Sequence, residues 1–340
     1  MNDKPWPLPP ATCDLSIVIV NWNTCSLLEQ CLTSIQADTS LTLAGKNGKA
    51  VVGITPLTEV IVVDNASTDE SVSMVRTAFP WVQLLTSETN LGFAAGNNFA
   101  FPKAQGDYIL LLNPDTRVIP GAITLLWQVL SAYPAAGIAG AQLLNADGSL
   151  QASIGVYPSL QSEIPGLNRL LKAIRKTSSI EIANQTVVIN AVDWVSGACL
   201  MIRRSAMEMI GALDENFWLY TEETDWCFRA RARGWEILSV PEAQIYHLAR
   251  AASRQRLTVS TLHFYQSRIR FINKHFGRSQ AILTRYFLRG KIKIWNLFFI
   301  NQCPLSQAYP DLSKAQIKKN YLCLAQALSL PLNEFLAAVW

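Results

Sequence analysis

Glu222, Glu223 and Asp225 fall at the start of a stretch that reads as a helix running to Gly234. Acids in a first helical turn complement the helix dipole, which is one reading. Three in one turn also repel each other, and Phe217, Trp218, Tyr220 and Trp226 stand close enough in sequence to strip them of water. Both effects raise a carboxylate pKa and can make a general base. Asp214 and Glu215 add two more acids nearby. A second candidate is Asn113-Pro114-Asp115, directly after the apolar run 108–112. A buried strand ending in a carboxylate delivers it to the sheet edge where ligands bind, although the same residues are good turn formers. Asp64 ends the apolar run 59–64. It can accept a hydrogen bond from a pyrimidine N3–H or a ribose hydroxyl, or, with Asn65, supply only turn and cap contacts. The segment 90–98, Asn-Leu-Gly-Phe-Ala-Ala-Gly-Asn-Asn, is small and amide-rich ahead of a helix. Its glycines allow close backbone approach, and a helix N-terminus favours phosphate. Its spacing is not a dinucleotide fingerprint, and Asn21-Trp22-Asn23 replaces any glycine turn after the first strand. His247 reads as a packed or surface histidine unless Asp115 holds a metal.

These groups need a scaffold that brings them together. Residues 15–20, 59–64, 82–86, 108–112 and 138–144 read as buried strands. Helices are expected between them: one capped by Asn23 or Thr24 with Leu27, Leu28, Cys31, Leu32 and Ile35 on its apolar face, and one opened by a capping box at 67–70. Two more are expected at 94–104 and from Pro120-Gly121 to Tyr133-Pro134. Residues 38–57 are long for a loop and read as an insertion or hairpin. This alternation predicts an α/β domain with a mostly parallel central sheet flanked by helices. Beyond Asp147-Gly148 the pattern loosens, with a strand at 192–202, a helix at 222–234 and a short strand at 236–240.

In this order, the segments resemble family-2 glycosyltransferases of the GT-A fold. The resemblance runs from about residue 15 to 277. It rests on Ser16-Ile17-Val18-Ile19-Val20-Asn21-Trp22-Asn23, Val62-Val63-Asp64-Asn65-Ala66-Ser67-Thr68-Asp69, the 90–98 segment, Leu111-Leu112-Asn113-Pro114-Asp115, Ser196-Gly197-Ala198, Leu213-Asp214-Glu215-Asn216-Phe217 and 220–229. The Glu-Glu-Thr-Asp-Trp-Cys run at 222–227 is most like a bacterial rhamnosyltransferase-like branch. The resemblance implies inverting transfer of a sugar, rhamnose or another deoxyhexose among the options, from a nucleoside diphosphate sugar of uridine or thymidine type. The acceptor would be a hydroxyl of a glycan or lipid-linked glycan in cell-surface polysaccharide synthesis. It assigns Asp64 to the pyrimidine base, with Val20, Asn21, Asn23, Asn65, Ser67, Asn90, Gly92, Asn97, Asn113 and Gly197 in the nucleotide-sugar site. Asp115 matches the last acid of the family's Asp-x-Asp motif, and His247 its downstream ligand, for a divalent Mg2+ or Mn2+. Asn113 at the first position of that motif is a common variant of this branch; it removes a negative charge and suits a place beside the ligands. Glu223 matches the catalytic base, usually Asp. Its extra methylene keeps Asp225 as an alternative base, with Glu222 and Asp225 positioning the acceptor or the base. Asn113 and Glu223 also sustain a competing reading, a donor-binding or scaffold protein of the same fold with weak catalysis. A nucleotidyltransferase of similar sheet would want a Gly-rich, basic loop where Asn21-Trp22-Asn23 stands.

The bulk numbers agree with a large globular chain. Of its 340 residues, 50% are hydrophobic and 16% charged, so a sizeable core is expected and global disorder is not. The seven cysteines are scattered without a Cys-x-x-Cys pair, which indicates neither a disulfide frame nor a zinc site. No apolar run reaches the roughly 18 residues of a membrane span, and 1–12 does not read as a signal peptide, so a cytoplasmic protein is expected. Between 248 and 320 stand 14 Lys and Arg against one acid, Asp311, a surplus of 13 positive charges; with +4 overall, the remainder carries −9. The expected organisation is a tail at 1–13, a catalytic domain at 14–250 and a helical, basic C-terminal region at 251–340. There, cations alternate with aromatics at 264–271 and 286–295. That suits peripheral docking on an anionic membrane at the inner face of the cell membrane, or a solvated helical cap. No nucleic-acid-binding module is present in the pattern.

Overall fold

The computed structural model describes residues 8–46, 55–164, 174–248, 257–298 and 312–338. The start of the tail (1–7), part of the 38–57 insertion (47–54), the junction 249–256 and the segment 299–311 of the C-terminal region lie outside the described residues. The chain divides into two units. The first comprises Met1–Tyr157, Lys172–Trp218 and Glu222–Ala252; the second comprises Pro158–Leu171, Leu219–Thr221 and Ser253–Trp340. Two segments from within the expected 14–250 domain, Pro158–Leu171 and Leu219–Thr221, group with the second unit.

The first unit is built on a sheet. Its strands are β1 (Cys13–Asn21), β2 (Thr42–Leu43), β3 (Leu57–Asn65), β4 (Gln83–Ser87), β5 (Gly106–Leu112), β6 (Thr116–Val118) and β7 (Ala136–Leu144). After a small ribbon strand, β8 (Ile154–Gly155), come β9 (Ile174–Ile182), β10 (Gln185–Val192), β11 (Trp194–Val195), β12 (Cys199–Arg203) and β13 (Glu236–His247). The order is β2-β3-β1-β5-β12-β7-β13-β10-β9, with β4 beside β3 and β6 beside β13, while β11 pairs with β8. Within the main sheet all strands but β6, β10 and β12 point the same way. The inner runs are apolar throughout because both faces are covered. Leu15, Ile17 and Ile19 of β1 enter one core with α1 (Cys25–Ala37), α2 (Ser71–Ala78) and α4 (Ala122–Ala132). Val18, Ile109 and Leu111 enter the other with α3 (Gly92–Ala100), α6 (Arg204–Ile210) and α7 (Glu222–Ala232).

Several elements depart from the expected ones. The insertion contributes β2, whose Thr42 pairs with Leu57 and extends the sheet. The capping box at 67–70 does not open α2. Ser67 Oγ instead accepts hydrogen bonds from Asn21 Nδ2 and Asn23 N, and Asp69 Oδ1 receives the N–H of Ser71, the first helical residue. The 94–104 helix starts at Gly92 and gives way at Phe101 to a 3₁₀ turn, where Pro102 ends α-helical bonding. The strand expected at 192–202 is instead the last residue of β10 followed by two short strands, β11 and β12, on either side of the turn Ser196-Gly197-Ala198. The strand expected to stop at Val240 continues to His247, because Pro241 is absorbed in a register shift between Val240 and Gln244.

The second unit is helical, with α5 (Leu160–Glu163), α8 (Leu257–Phe276), α9 (Arg278–Phe298), α10 (Lys314–Ala327) and α11 (Leu332–Ala337). Many of its cations are tied down internally. Arg268 Nε donates to Glu163 at 2.8 Å, Lys291 Nζ to the Glu163 carbonyl at 2.9 Å, and Arg270 and Arg285 to carbonyls of Leu336 and Leu330. Among the described residues no helix is long and apolar enough to cross a membrane.

Candidate active site

Because β1, β3, β5, β7 and β13 share a direction, their carboxyl ends lie along one edge of the sheet. Antiparallel β12 brings its amino end to the same edge, with Cys199 opposite Leu112. Asn21, Asp64, Asn65, Asn113, Asp115, Gly197 and His247 all sit there, where open α/β sheets bind ligands.

At the ends of β1 and β3 the polar groups hold one another. Asp64 is 3% exposed; its Oδ2 accepts Ser67 N at 3.0 Å and its Oδ1 faces Asn21 Nδ2 at 3.4 Å. Asn21 Oδ1 accepts the Thr24 hydroxyl at 2.6 Å. Asn23 adopts φ 52°, a left-handed conformation that asparagine tolerates, and its Oδ1 accepts Thr68 N at 2.7 Å. Asn65 joins β3 to the next loop, donating to Asn90 Oδ1 and the Gly92 carbonyl and accepting Leu91 N. Val20 turns its side chain under α3, where a Cβ on Gly96 would stand 2.8 Å from Cγ1. Asn97 is buried and donates to the Phe93 carbonyl one turn back.

At the start of α3, where the sequence led to an expectation of phosphate, three N–H groups are already engaged. The N–H groups of Leu91, Gly92 and Phe93 already go to Asn65 Oδ1, Asn90 Oδ1 and the Trp218 carbonyl. A Cβ on Gly92 (φ +79°) would lie 2.6 Å from that carbonyl, so glycine is needed for this close approach. Asp214 and Glu215 also leave the acid cluster. Asp214 Oδ1 accepts Asn216 N in a turn, and Glu215 receives Asn98 Nδ2, whose side chain also clamps both backbone groups of Leu213.

Asp115 and His247, distant in sequence, meet through β6 and β13, where Thr116 pairs with His247. Asp115 Oδ1 lies 3.2 Å from His247 Nε2, and Asn113 Nδ2 lies 3.3 Å from the same nitrogen. His247 Nδ1 lies 2.6 Å from Gln151 Oε1. A hard carboxylate oxygen beside an imidazole nitrogen is a donor pair that would fit a divalent Mn2+ or Mg2+. Among the described residues no group of three or more His, Cys, Asp or Glu gathers as a ligand set.

The acids of α7 part company. Trp226 anchors the helix, fully buried, stacked on Phe101 at 5.9 Å and donating Nε1 to the Gly211 carbonyl. Asp225 is fully buried, and Arg229 Nε donates to it at 2.8 Å. Arg229 also reaches the Ile210 and Ala212 carbonyls. Asp225 is therefore engaged in holding the helix, a geometry that does not suit the alternative base. Glu222 is 4% exposed, and its Oε2 is buried without a hydrogen-bond partner. Burial, then the neighbouring Glu223 charge, push its carboxyl well above the usual range. Burial also raises Glu223, while a hydrogen bond from Glu222 opposes that rise. Both carboxyls are thus raised, and the two titrate as a pair. Glu223 keeps part of its surface exposed. A Cβ on Gly197 would stand 3.4 Å from Glu223 Cβ, so the turn before β12 lies against the base candidate.

Reading the sequence overlooked Asn98, Arg229 and Gln151. Arg229 carries a usable signal, the i, i+4 spacing from Asp225. Asp147-Gly148 signals the hairpin that carries Gln151, but nothing local points to Gln151 itself.

A mostly parallel sheet with these polar groups along its carboxyl edge is the GT-A arrangement of nucleotide-sugar glycosyltransferases. A family model described as glycosyl transferase family 2 matches residues 16–208, more than half of the chain. The chain belongs to glycosyl transferase family 2, and its relatives place it in the rhamnosyltransferase-like branch. It is similar to the N-acetylglucosaminyl-diphospho-decaprenol L-rhamnosyltransferase of Mycobacterium tuberculosis, 29% identical over 251 residues covering 69% of this chain and 81% of that protein. Rhamnosyltransferase WbbL of Escherichia coli is 24% identical over 207 residues, covering 56% of this chain and 76% of WbbL. Among solved structures, the mannosyltransferase PcManGT from Pyrobaculum calidifontis, in complex with GDP-Man and Mn2+, shares the fold with a TM-score of 0.53 at 15% identity, over 96% of this chain and 90% of that one.

Proposed function

We propose that this glycosyltransferase moves rhamnose or another deoxyhexose, with inversion, from a uridine or thymidine diphosphate sugar to a hydroxyl of a glycan or lipid-linked acceptor. The observation that carries the reading is the convergence of Asp115 and His247 at 3.2 Å on the sheet edge that also holds Asp64. Asp64 accepts the pyrimidine N3–H, using lone pairs left over from Ser67 and Asn21. Asp115 and His247 would hold Mg2+ or Mn2+, with the Asn113 amide beside them. When bound, the cation offsets charge developing on the departing diphosphate. Glu223 takes the acceptor proton as that oxygen attacks the anomeric carbon. Glu222, protonated, orients Glu223. A panel of nucleotide sugars with each cation, scored for nucleoside diphosphate release with and without lipid-linked acceptor, tests this. Donor binding without turnover on any sugar would favour the scaffold reading instead. Asp115→Ala should lose cation-dependent donor binding; unchanged binding would remove its metal role.

The second unit suits peripheral attachment at the inner face of the cell membrane. On α9, Leu283, Tyr286 and Ile294 are 54%, 58% and 52% exposed, beside exposed Lys293, a composition fit for anionic lipid. Flotation with anionic liposomes at low salt is the test, and a protein that stays at the bottom of the gradient defeats this part.

A further inference from the structure

The hairpin after β7 carries a row of side chains that ends on His247. Ser149 Oγ donates to Asp147 Oδ1 at 2.6 Å, and Asn145 Nδ2 donates to Ser149 Oγ at 2.9 Å. Gln151 Nε2 donates to Asn145 Oδ1 at 2.9 Å, and Gln151 Oε1 faces His247 Nδ1 at 2.6 Å. The row has one direction. An ionised carboxylate only accepts, so the Ser149 proton points at Asp147 and its lone pair receives the Asn145 amide. That leaves the Asn145 oxygen for the Gln151 amide, and the Gln151 oxygen for Nδ1. A proton on Nε2 alone would set two lone pairs against each other at 2.6 Å.

The backbone fixes this row in place. Asn145 N donates to Ser149 O at 2.8 Å across the turn, where Gly148 takes φ 83°. Gln151 N donates to Leu143 O at 2.9 Å, and Gln142 Nε2 to the Gln151 carbonyl at 2.9 Å. On the opposite side of the ring Nε2 meets Asn113 Nδ2, a donor, at 3.3 Å and Asp115 Oδ1, an acceptor, at 3.2 Å; a bare Nε2 suits the first and faces the second as two ligands face across a shared cation.

We propose that Gln151 is a positioning residue that fixes the His247 proton on Nδ1, keeping Nε2 a bare lone pair beside Asp115 in the form a divalent cation binds. A metal-bound imidazole needs its other nitrogen held by such a partner. The metal half of this inference rests on the role proposed above for Asp115 and His247; the tautomer half does not.

The test uses the full chain labelled with nitrogen-15, with the tautomer read on the alkaline plateau of a pH series. With only three histidines, His247 is assigned by comparison with His247→Asn. Long-range proton–nitrogen spectra should show the proton on Nδ1 in the parent protein and on Nε2 in Gln151→Leu. Gln151→Glu, whose carboxylate also accepts, should keep it on Nδ1. Calorimetric binding of Mn2+ in the presence of uridine diphosphate should weaken about 10–100-fold in Gln151→Leu and recover in Gln151→Glu. A parent ring protonated on Nε2, or an unchanged tautomer in Gln151→Leu, overturns the proposal. Parent-like Mn2+ affinity in Asp115→Ala, together with the expected tautomer change, would fell the metal role and leave the tautomer assignment standing.

Discussion

Two stretches of the first unit treat their polar groups in opposite ways. At the ends of β1 and β3, Asn21, Asn23, Asp64, Asn65 and Ser67 are bonded to one another or to nearby backbone. At the start of α7, Glu222 leaves a buried oxygen without a partner, and burial raises its carboxyl and that of Glu223. A wall that recognises a ligand gains from being satisfied beforehand, since its shape then needs no reordering on binding. A group that must accept a proton gains from the reverse, because an uncomfortable carboxylate is a stronger base. On the roles proposed above, the contrast is one between binding and chemistry.

The sharpest way to break the contrast is Glu223→Gln. It should lower kcat by about 10²–10⁴-fold while the donor KM stays put. Steady-state kinetics decide, and a parent-like kcat removes Glu223 as the base. Next in size is Asp225→Ala, which strands Arg229 beside the Ile210 and Ala212 carbonyls. Losing one partner of a buried pair costs about 3–5 kcal/mol. Urea unfolding should show that loss, with the kcat of the folded fraction nearly unchanged. Unchanged stability with a collapsed kcat would return the base role to Asp225.

How much of this was legible in the sequence follows from how far apart the deciding contacts lie. Runs such as 15–20 and 108–112 announce their strands because both faces of the sheet are buried, and their polar ends mark the edge where ligands sit. The β9–β10 hairpin was not legible, since Ile-Arg-Lys-Thr-Ser-Ser-Ile-Glu-Ile is mostly polar and exposed at the sheet margin. β6 spans only Thr116–Val118, too short for any periodicity. Yet its pairing with β13 is what sets Asp115 against His247. The residues of that site could be named through the family resemblance, but the Gln151 row depends on a hairpin meeting a strand end nearly a hundred positions later. Asp225 illustrates the other limit: its residue type suits a base, while its bond to Arg229 and complete burial suit a part in holding α7.

On the satisfied side, Asn65→Ala removes bonds to Asn90, Leu91 and Gly92 together. It should cost about 1–3 kcal/mol of stability, as for a buried group left unpaired, and raise the donor KM more than it lowers kcat. Thermal unfolding and donor titration give the two readouts. If kcat falls and KM does not, the wall takes part in the chemistry and the contrast fails.

The smallest effect, and the most discriminating, concerns Glu222. Its folded pKa stands above its unfolded value, so between the two the folded state binds more protons than the unfolded one. Within that window the parent protein loses stability as pH rises, until Glu222 ionises in the folded state as well. Glu222→Gln keeps the shape and a donor hydrogen but has no proton to lose. The variant should therefore match the parent at pH below the ordinary carboxylate range and pull ahead as pH rises through the window, with the gap levelling above it. Denaturation across a pH series measures this directly. The same substitution leaves Glu223 a neutral neighbour in place of a titrating one. The acidic limb of its kcat profile should then reflect Glu223 alone rather than a coupled pair. A stability gap that is constant with pH would mean that Glu222 is already ionised when folded, and the start of α7 would then be a place of ordinary acids.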